Sequence, residues 1–128
     1  MTKPILLIVD DEPGIAKFVG EAGKLVGFDI LIANSAKEFK QYYASTVPAG
    51  IVLDIVMPDM DGIELINWLA DFDCSVPITL MSGHNALYID VAKKLGIRKG
   101  CQIIGTLSKP FSLDELKPLL QKNINYCL

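Results

Sequence analysis

The chain has 128 residues, of which 51% are apolar and 21% charged, with a net charge of −3. That length suits one domain, residues 1–128, around one core, and a mean hydropathy of +0.37 excludes intrinsic disorder. A pI near 5.0 and no basic cluster beyond Lys93-Lys94 with Arg98-Lys99 argue against direct nucleic-acid contact.

The first element is the apolar run Ile5–Val9, of the kind that a strand buried on both faces requires. Ile15, Phe18, Val19, Ala22, Leu25 and Val26 then recur at helical spacing until Gly27. Interior Gly14, Gly20 and Gly23 weaken that helix, each by up to about 1 kcal/mol relative to alanine. Residues 28–33 read as a second strand, and Ser35 caps a helix bearing Phe39, Tyr42 and Tyr43. Residues 50–53 read as a third strand, followed by Asp61 and a helix bearing Ile63, Leu65, Ile66 and Leu69. Residues 77–81 form the fourth strand, and residues 85–95 a helix that Gly96 ends. Residues 102–107 form the fifth strand. Ser112-Leu113-Asp114-Glu115 is a capping box that opens a last helix, and Pro118 should bend its second turn. Five strands alternating with five helices predict an α/β fold with a parallel sheet.

No apolar run approaches the roughly 18–20 residues of a membrane-spanning helix. The early acidic trio Asp10, Asp11 and Glu12 does not suit a secretory leader. Cys74, Cys101 and Cys127 are scattered and odd in number. They argue against a disulfide frame or zinc site and fit reduced thiols in a cytoplasmic protein.

In an open parallel sheet, ligands bind outside the carboxyl ends of the strands. Strand one is followed by Asp10 and Asp11, strand three by Asp54, strand four by Ser82, and strand five by Lys109 and Pro110. One Asp at one strand end is ordinarily a turn or helix cap. Three carboxylates, a hydroxyl and an ammonium on one edge are a different matter. Crowded carboxylates repel each other, and Mg²⁺ resolves that crowding with one or two carboxylates, waters and a phosphate oxygen. A carboxylate is also a competent nucleophile toward a phosphoryl group, and phosphoryl transfer needs chiefly positioning and charge neutralisation.

Ile8-Val9-Asp10-Asp11-Glu12, the stretch from Leu53-Asp54 through Met57-Pro58 to Asp61-Gly62, Met81-Ser82-Gly83 and Ser108-Lys109-Pro110-Phe111 together resemble the receiver domain of bacterial two-component response regulators. The resemblance covers essentially the whole chain. It implies a flavodoxin-like (βα)5 fold, a doubly wound five-stranded parallel sheet in the order 2-1-3-4-5. It implies that Asp54 accepts a phosphoryl group from a histidine kinase or phosphotransfer protein. Asp11, Asp54 and the main-chain carbonyl of Val56 would ligate Mg²⁺, with Asp10 acting through water. Lys109 would pair with Asp54 or its phosphoryl oxygens, Ser82 would bind the phosphoryl group, and the Lys109–Pro110 peptide would be cis. Met57-Pro58 and Gly62 would shape the loop beside the acceptor. The altered surface, the last strand with its flanking helices, would bind a downstream output domain or protein.

The chain departs from that family where an aromatic switch residue usually stands, since the position holds Thr106. His84 falls near the expected mouth of the site; contact with the phosphoryl group or control of water access is one reading, and an exposed histidine without a role is the favoured one. The long connection around Gly96 to Cys101 resembles receivers attached to EAL-type cyclic-di-GMP phosphodiesterases. Tyr126 and Leu128 are docking positions or simple helix-end packing. No helix-turn-helix segment follows the fifth helix, so the module either acts alone through a partner or belongs to a longer regulator.

Two other function classes fit less well. A pseudo-receiver would bind its partner without phosphorylation, a reading to which only Thr106 lends weight. An aspartate-nucleophile phosphohydrolase needs a general acid two residues after its nucleophile, where this chain has Val56. The expected role is therefore signalling, with no turnover of a separate substrate.

Overall fold

The five apolar segments form one parallel sheet in the computed structural model, which describes residues 3–83 and 86–127. The strands are β1 (Ile5–Val9), β2 (Asp29–Ala33), β3 (Gly50–Asp54), β4 (Ile78–Ser82) and β5 (Ile103–Ser108), ordered β2-β1-β3-β4-β5. Between and after them run α1 (Pro13–Val26), α2 (Ala36–Ser45), α3 (Gly62–Asp71), α4 (Ala86–Arg98) and α5 (Leu113–Asn125). The doubly wound sheet with order 2-1-3-4-5 is therefore the fold that the chain adopts.

The two faces of the sheet carry separate cores. Leu6 and Ile8 of β1 meet Ala16, Val19 and Ala22 of α1 and Leu116 and Leu120 of α5. Leu7 and Val9 point the other way, toward Phe39 of α2, Leu65, Ile66 and Leu69 of α3, and Ile89 and Ala92 of α4. This is period-two alternation with both sides dry, which is why the strand reads as an unbroken apolar run. Every residue of β3 and β4 is buried.

The helix starts follow from their caps. Ser35 Oγ accepts from the Glu38 amide at 3.1 Å and Asp61 Oδ1 from the Glu64 amide at 2.9 Å. Ser112 and Glu115 form the full capping box. Each such cap contributes about 1 kcal/mol. The last helix continues through Pro118 to Asn125.

The end of α4 differs from expectation. Gly96 does not terminate it; the helix runs on to Arg98 and Gly100, at φ +92°, turns the chain. Gly96 is instead a packing residue, since a Cβ there would stand 3.0 Å from Ile103 and 3.5 Å from Ile66. The connection beyond it ends in a register shift, with Ile78 paired to Ile103 but Thr79 to Gly105. One extra residue, Ile104, bulges out of β5 there, an uncommon event in a parallel pair. His84, Asn85 and Leu128 lie outside the described residues. Among the described residues, no helix is long and apolar enough to cross a membrane.

Candidate functional site

β1 and β3 are neighbours in register, Val9 beside Leu53, so the residues that follow them emerge side by side at the carboxyl edge. Asp10 is fully buried and Asp54 is 2% exposed, whereas Asp11 and Glu12 reach solvent. One carboxylate oxygen from each of Asp10, Asp11, Glu12 and Asp54 lies within 4.8 Å of the others. Short-range backbone bonds hold the two buried groups. Asp10 Oδ1 accepts from the Glu12 amide at 2.8 Å, and Asp54 Oδ1 accepts from the Val56 amide at 3.1 Å.

Lys109 follows β5 and brings the opposing charge. Its amide donates to the Ser82 carbonyl at 2.8 Å, locking the two strand ends together. The Lys109–Pro110 peptide is cis. Lys109 Nζ lies 3.1 Å from Asp54 Oδ2 and 3.2 Å from Glu12 Oε1. It also stands 3.0 Å from Asp10 Oδ2, close enough for an ion pair but without hydrogen-bond alignment. One ammonium therefore faces three carboxylates.

That imbalance shows in the acid–base properties. Burial, aided by the charge of Asp10, pushes the Asp54 carboxyl up from its ordinary 3.8 to about 6. The Val56 amide and the Lys109 ammonium pull it the other way without prevailing. Burial alone would lower Lys109, but Asp10 and Asp54 outweigh it and hold the ammonium above the usual lysine range.

The donor set fits a hard divalent cation. It is all oxygen, carries surplus negative charge, and includes one buried carboxylate oxygen, Asp10 Oδ2, with no aligned donor. Asp54 combines burial, negative charge and a neighbouring ammonium, the features of a carboxylate nucleophile beside an electrostatic clamp. The cleft above it, about 330 Å³, is lined by Glu12, Asp54, Val56, Gly83, Lys109 and Pro110 among others.

Asp10, Asp11, Asp54 and Lys109 are thus brought together, and Val56 and Pro110 line the same cleft. Ser82 ends β4, one step beyond Met81, which pairs with Asp54. Thr106 does not join them: it sits half-buried within β5 opposite Leu80. Gly62 is packed against the site loop, its amide donating to the Ile55 carbonyl at 2.7 Å, and any Cβ there would collide with Ile55. The residue that sequence reasoning left without a role is Glu12. Its adjacency to the acidic pair was a signal, but its bond to Lys109 spans 97 positions and has no local pattern.

The family model described as response regulator receiver domain matches residues 6–121. Regulatory protein AtoC of Escherichia coli is 31% identical over 117 residues, covering 91% of this chain and 24% of that protein. Transcriptional regulatory protein TrcR of Mycobacterium tuberculosis is 31% identical over 111 residues, covering 87% of this chain and 41% of that protein. The chain thus spans less than half the length of these relatives. Among solved structures, the Francisella response regulator 1452 receiver domain superposes with a TM-score of 0.81 at 27% identity, covering 98% of this chain and 99% of that one. A response regulator from Colwellia psychrerythraea gives 0.82 at 26% identity, covering 96% and 98%.

Proposed function

Because the chain belongs to the response regulator receiver domain family, we propose that Asp54 is its phosphoacceptor and that the acidic edge is its Mg²⁺ site. Domains of this family are signalling modules rather than enzymes acting on a separate substrate. The observation that carries the proposal is the convergence of four carboxylates within 4.8 Å on a buried Asp54 whose Oδ2 lies 3.1 Å from the Lys109 ammonium.

Asp11, Asp54 and the Val56 carbonyl would hold the ion directly, with Asp10 acting through water. When bound, Mg²⁺ neutralises the phosphoryl oxygens and the surplus acid charge. The remaining chemistry belongs to the chain. An Asp54 carboxylate oxygen attacks phosphorus of a phosphohistidine on a kinase or phosphotransfer protein. The P–N bond breaks, and the imidazole leaves with the electron pair and takes up a proton. The product is a mixed anhydride on Asp54. Lys109 keeps its charge throughout and follows the oxygen to which negative charge moves. Ser82 donates to the phosphoryl group from the end of β4. Domain self-phosphorylation from a small phosphodonor and slow hydrolysis by water complete the cycle.

The phosphoryl group adds charge at the edge where β4 and β5 end, and it biases the surface formed by α4, β5 and α5. That surface suits a partner. On α4, Leu87 is 68%, Val91 47% and Ile97 53% exposed, beside a hollow of about 590 Å³; apolar groups gathered in this way mark contact sites. With Thr106 in β5, the response would run without an aromatic rotor at that position. A cytoplasmic setting suits the free thiols of Cys74, Cys101 and Cys127.

The test is incubation with acetyl phosphate and Mg²⁺ followed by intact mass measurement. The expected result is one phosphoryl adduct that hydroxylamine removes, that does not form when EDTA replaces Mg²⁺, and that is absent from Asp54→Asn. An adduct that persists in Asp54→Asn, or none in the wild type, would overturn the proposal. Partner binding indifferent to Asp54 substitution would favour the pseudo-receiver instead.

A further inference from the structure

The loop from Ile55 to Gly62 is closed at its base and fastened at its tip by different means. At the base, the Gly62 amide donates to the Ile55 carbonyl at 2.7 Å, and Val56 and Asp61 form an isolated antiparallel bridge. The tip has no such partner within the loop. Its side chain Asp59 reaches across 23 positions to the start of α2. There Asp59 Oδ2 accepts from the Ala36 amide at 3.1 Å and from the Lys37 amide at 3.4 Å, and Oδ1 lies 3.3 Å from the Ala36 amide.

The first turn of α2 is thereby capped twice. Its own cap, Ser35, satisfies only the Glu38 amide, while Glu38 Oε1 turns back to the Asn34 amide at 2.7 Å. Asp59 takes the first two amides of the helix proper, those of Ala36 and Lys37. A helix start leaves four amides without intrahelical partners, and an anion there is held by both hydrogen bonds and the helix dipole. The exposed carboxylate is thus bound by a separate element, which packs on β1 and β2.

We infer that Asp59 is a positioning residue for the metal site. Resting on the reading that Val56 supplies a carbonyl ligand, the inference is that the Asp59 clamp fixes the loop so that this carbonyl faces the acidic cluster. Asp59 touches neither the ion nor a phosphoryl group. It acts through the three peptide units between itself and Val56. Losing such an outer support of a metal ligand typically costs 10- to 100-fold in affinity.

The experiment compares Mg²⁺ dissociation constants by isothermal titration calorimetry and melting temperatures in wild type, Asp59→Ala, Asp59→Asn and Ser35→Ala. Asp59→Ala should weaken Mg²⁺ binding about tenfold. Asp59→Asn, whose amide oxygen can still accept from Ala36, should recover most of the affinity. Ser35→Ala removes a cap from the same helix without touching the loop, so it should lower the melting temperature and leave Mg²⁺ binding unchanged. A purely structural role predicts the opposite, equal effects of Asp59→Ala and Ser35→Ala on both readouts. Saturable binding by the wild type that Asp59→Ala does not weaken overturns the inference alone. No saturable binding by the wild type overturns the metal reading and the inference together.

Discussion

The two ends of the sheet bury polar groups in opposite ways. At the amino ends of the strands, the buried groups are neutral. Asn123 is fully buried and donates from Nδ2 to the Ala49 carbonyl at 3.0 Å. Burial, with a hydrogen bond to Cys74, raises the Tyr43 hydroxyl above its ordinary range, and burial raises the Cys101 thiol, so both stay protonated. At the carboxyl ends, the buried groups are ionic, with Asp10 and Asp54 shielded from water and sharing one ammonium. Neutral groups buried with a partner cost little, whereas buried charges demand a counter-ion and remain costly even with one. The same fold therefore has one end whose buried groups carry no charge, although Asn123 Oδ1 has no hydrogen-bond partner among the described residues, and another held in an unbalanced state that an added cation would relieve.

The contrast is sharpest if the single counter-ion is removed. Lys109→Met should lower stability at pH 7 without Mg²⁺ by about 3–5 kcal/mol, because it leaves Asp10 and Asp54 buried and uncompensated. Urea unfolding measures it, and saturating Mg²⁺ should restore a large part. A loss that Mg²⁺ leaves untouched would mean that the acidic edge does not take up the cation.

Next in size is the pH dependence. The folded Asp54 carboxyl titrates near 6 rather than at 3.8, so between those values the native state binds more protons than the unfolded chain. Stability in EDTA should then fall as pH rises from about 4 to about 6 and stay lower above, by up to about 3 kcal/mol for two pK units. Asp54→Asn should flatten that slope and be more stable than the wild type at pH 7. Mg²⁺ affinity should rise over the same window, since the ligand must be deprotonated.

The amino end supplies the control. Asn123→Ala strips the Ala49 carbonyl of its amide donor and opens a gap in the packing, at a cost of about 1–3 kcal/mol. That cost should be the same with EDTA or Mg²⁺ and at pH 5 or 8. If it varied with either, the two ends would be coupled and the contrast would fail.

How much of this was legible in the sequence depends on the range of the interaction. All five strands stand within one or two residues of their expected spans; for β1, β3 and β4 the reason is that a strand buried on both faces must be apolar nearly throughout. Asp10, Asp11, Asp54 and Lys109 were legible because strand ends in a parallel sheet share an edge whatever the details. Gly96 misled because a glycine reads locally as a helix end, and only the approach of Ile103 reveals it as a packing position. The bulge at Ile104 has no local signature either. Asp59 and Glu12 sit inside recognisable motifs, yet their partners are 23 and 97 positions away, so spacing along the chain could not assign them.

Glu12 gives the smallest effect and the finest test of where the charged end stops. Its side chain is 61% exposed and meets Lys109 at 3.2 Å, and it leaves the start of α1 without a side-chain cap. An exposed partner of this kind contributes about 0–1 kcal/mol, so Glu12→Gln should shift the urea midpoint only slightly. Its oxygen nevertheless lies within the 4.8 Å group, which makes it a geometric candidate for the cation. If Glu12 serves only as the third carboxylate on Lys109, Mg²⁺ affinity in Glu12→Gln should change by less than about fivefold, the equivalent of about 1 kcal/mol. A larger loss would move Glu12 into the ligand set and extend the ionic end of the sheet into solvent.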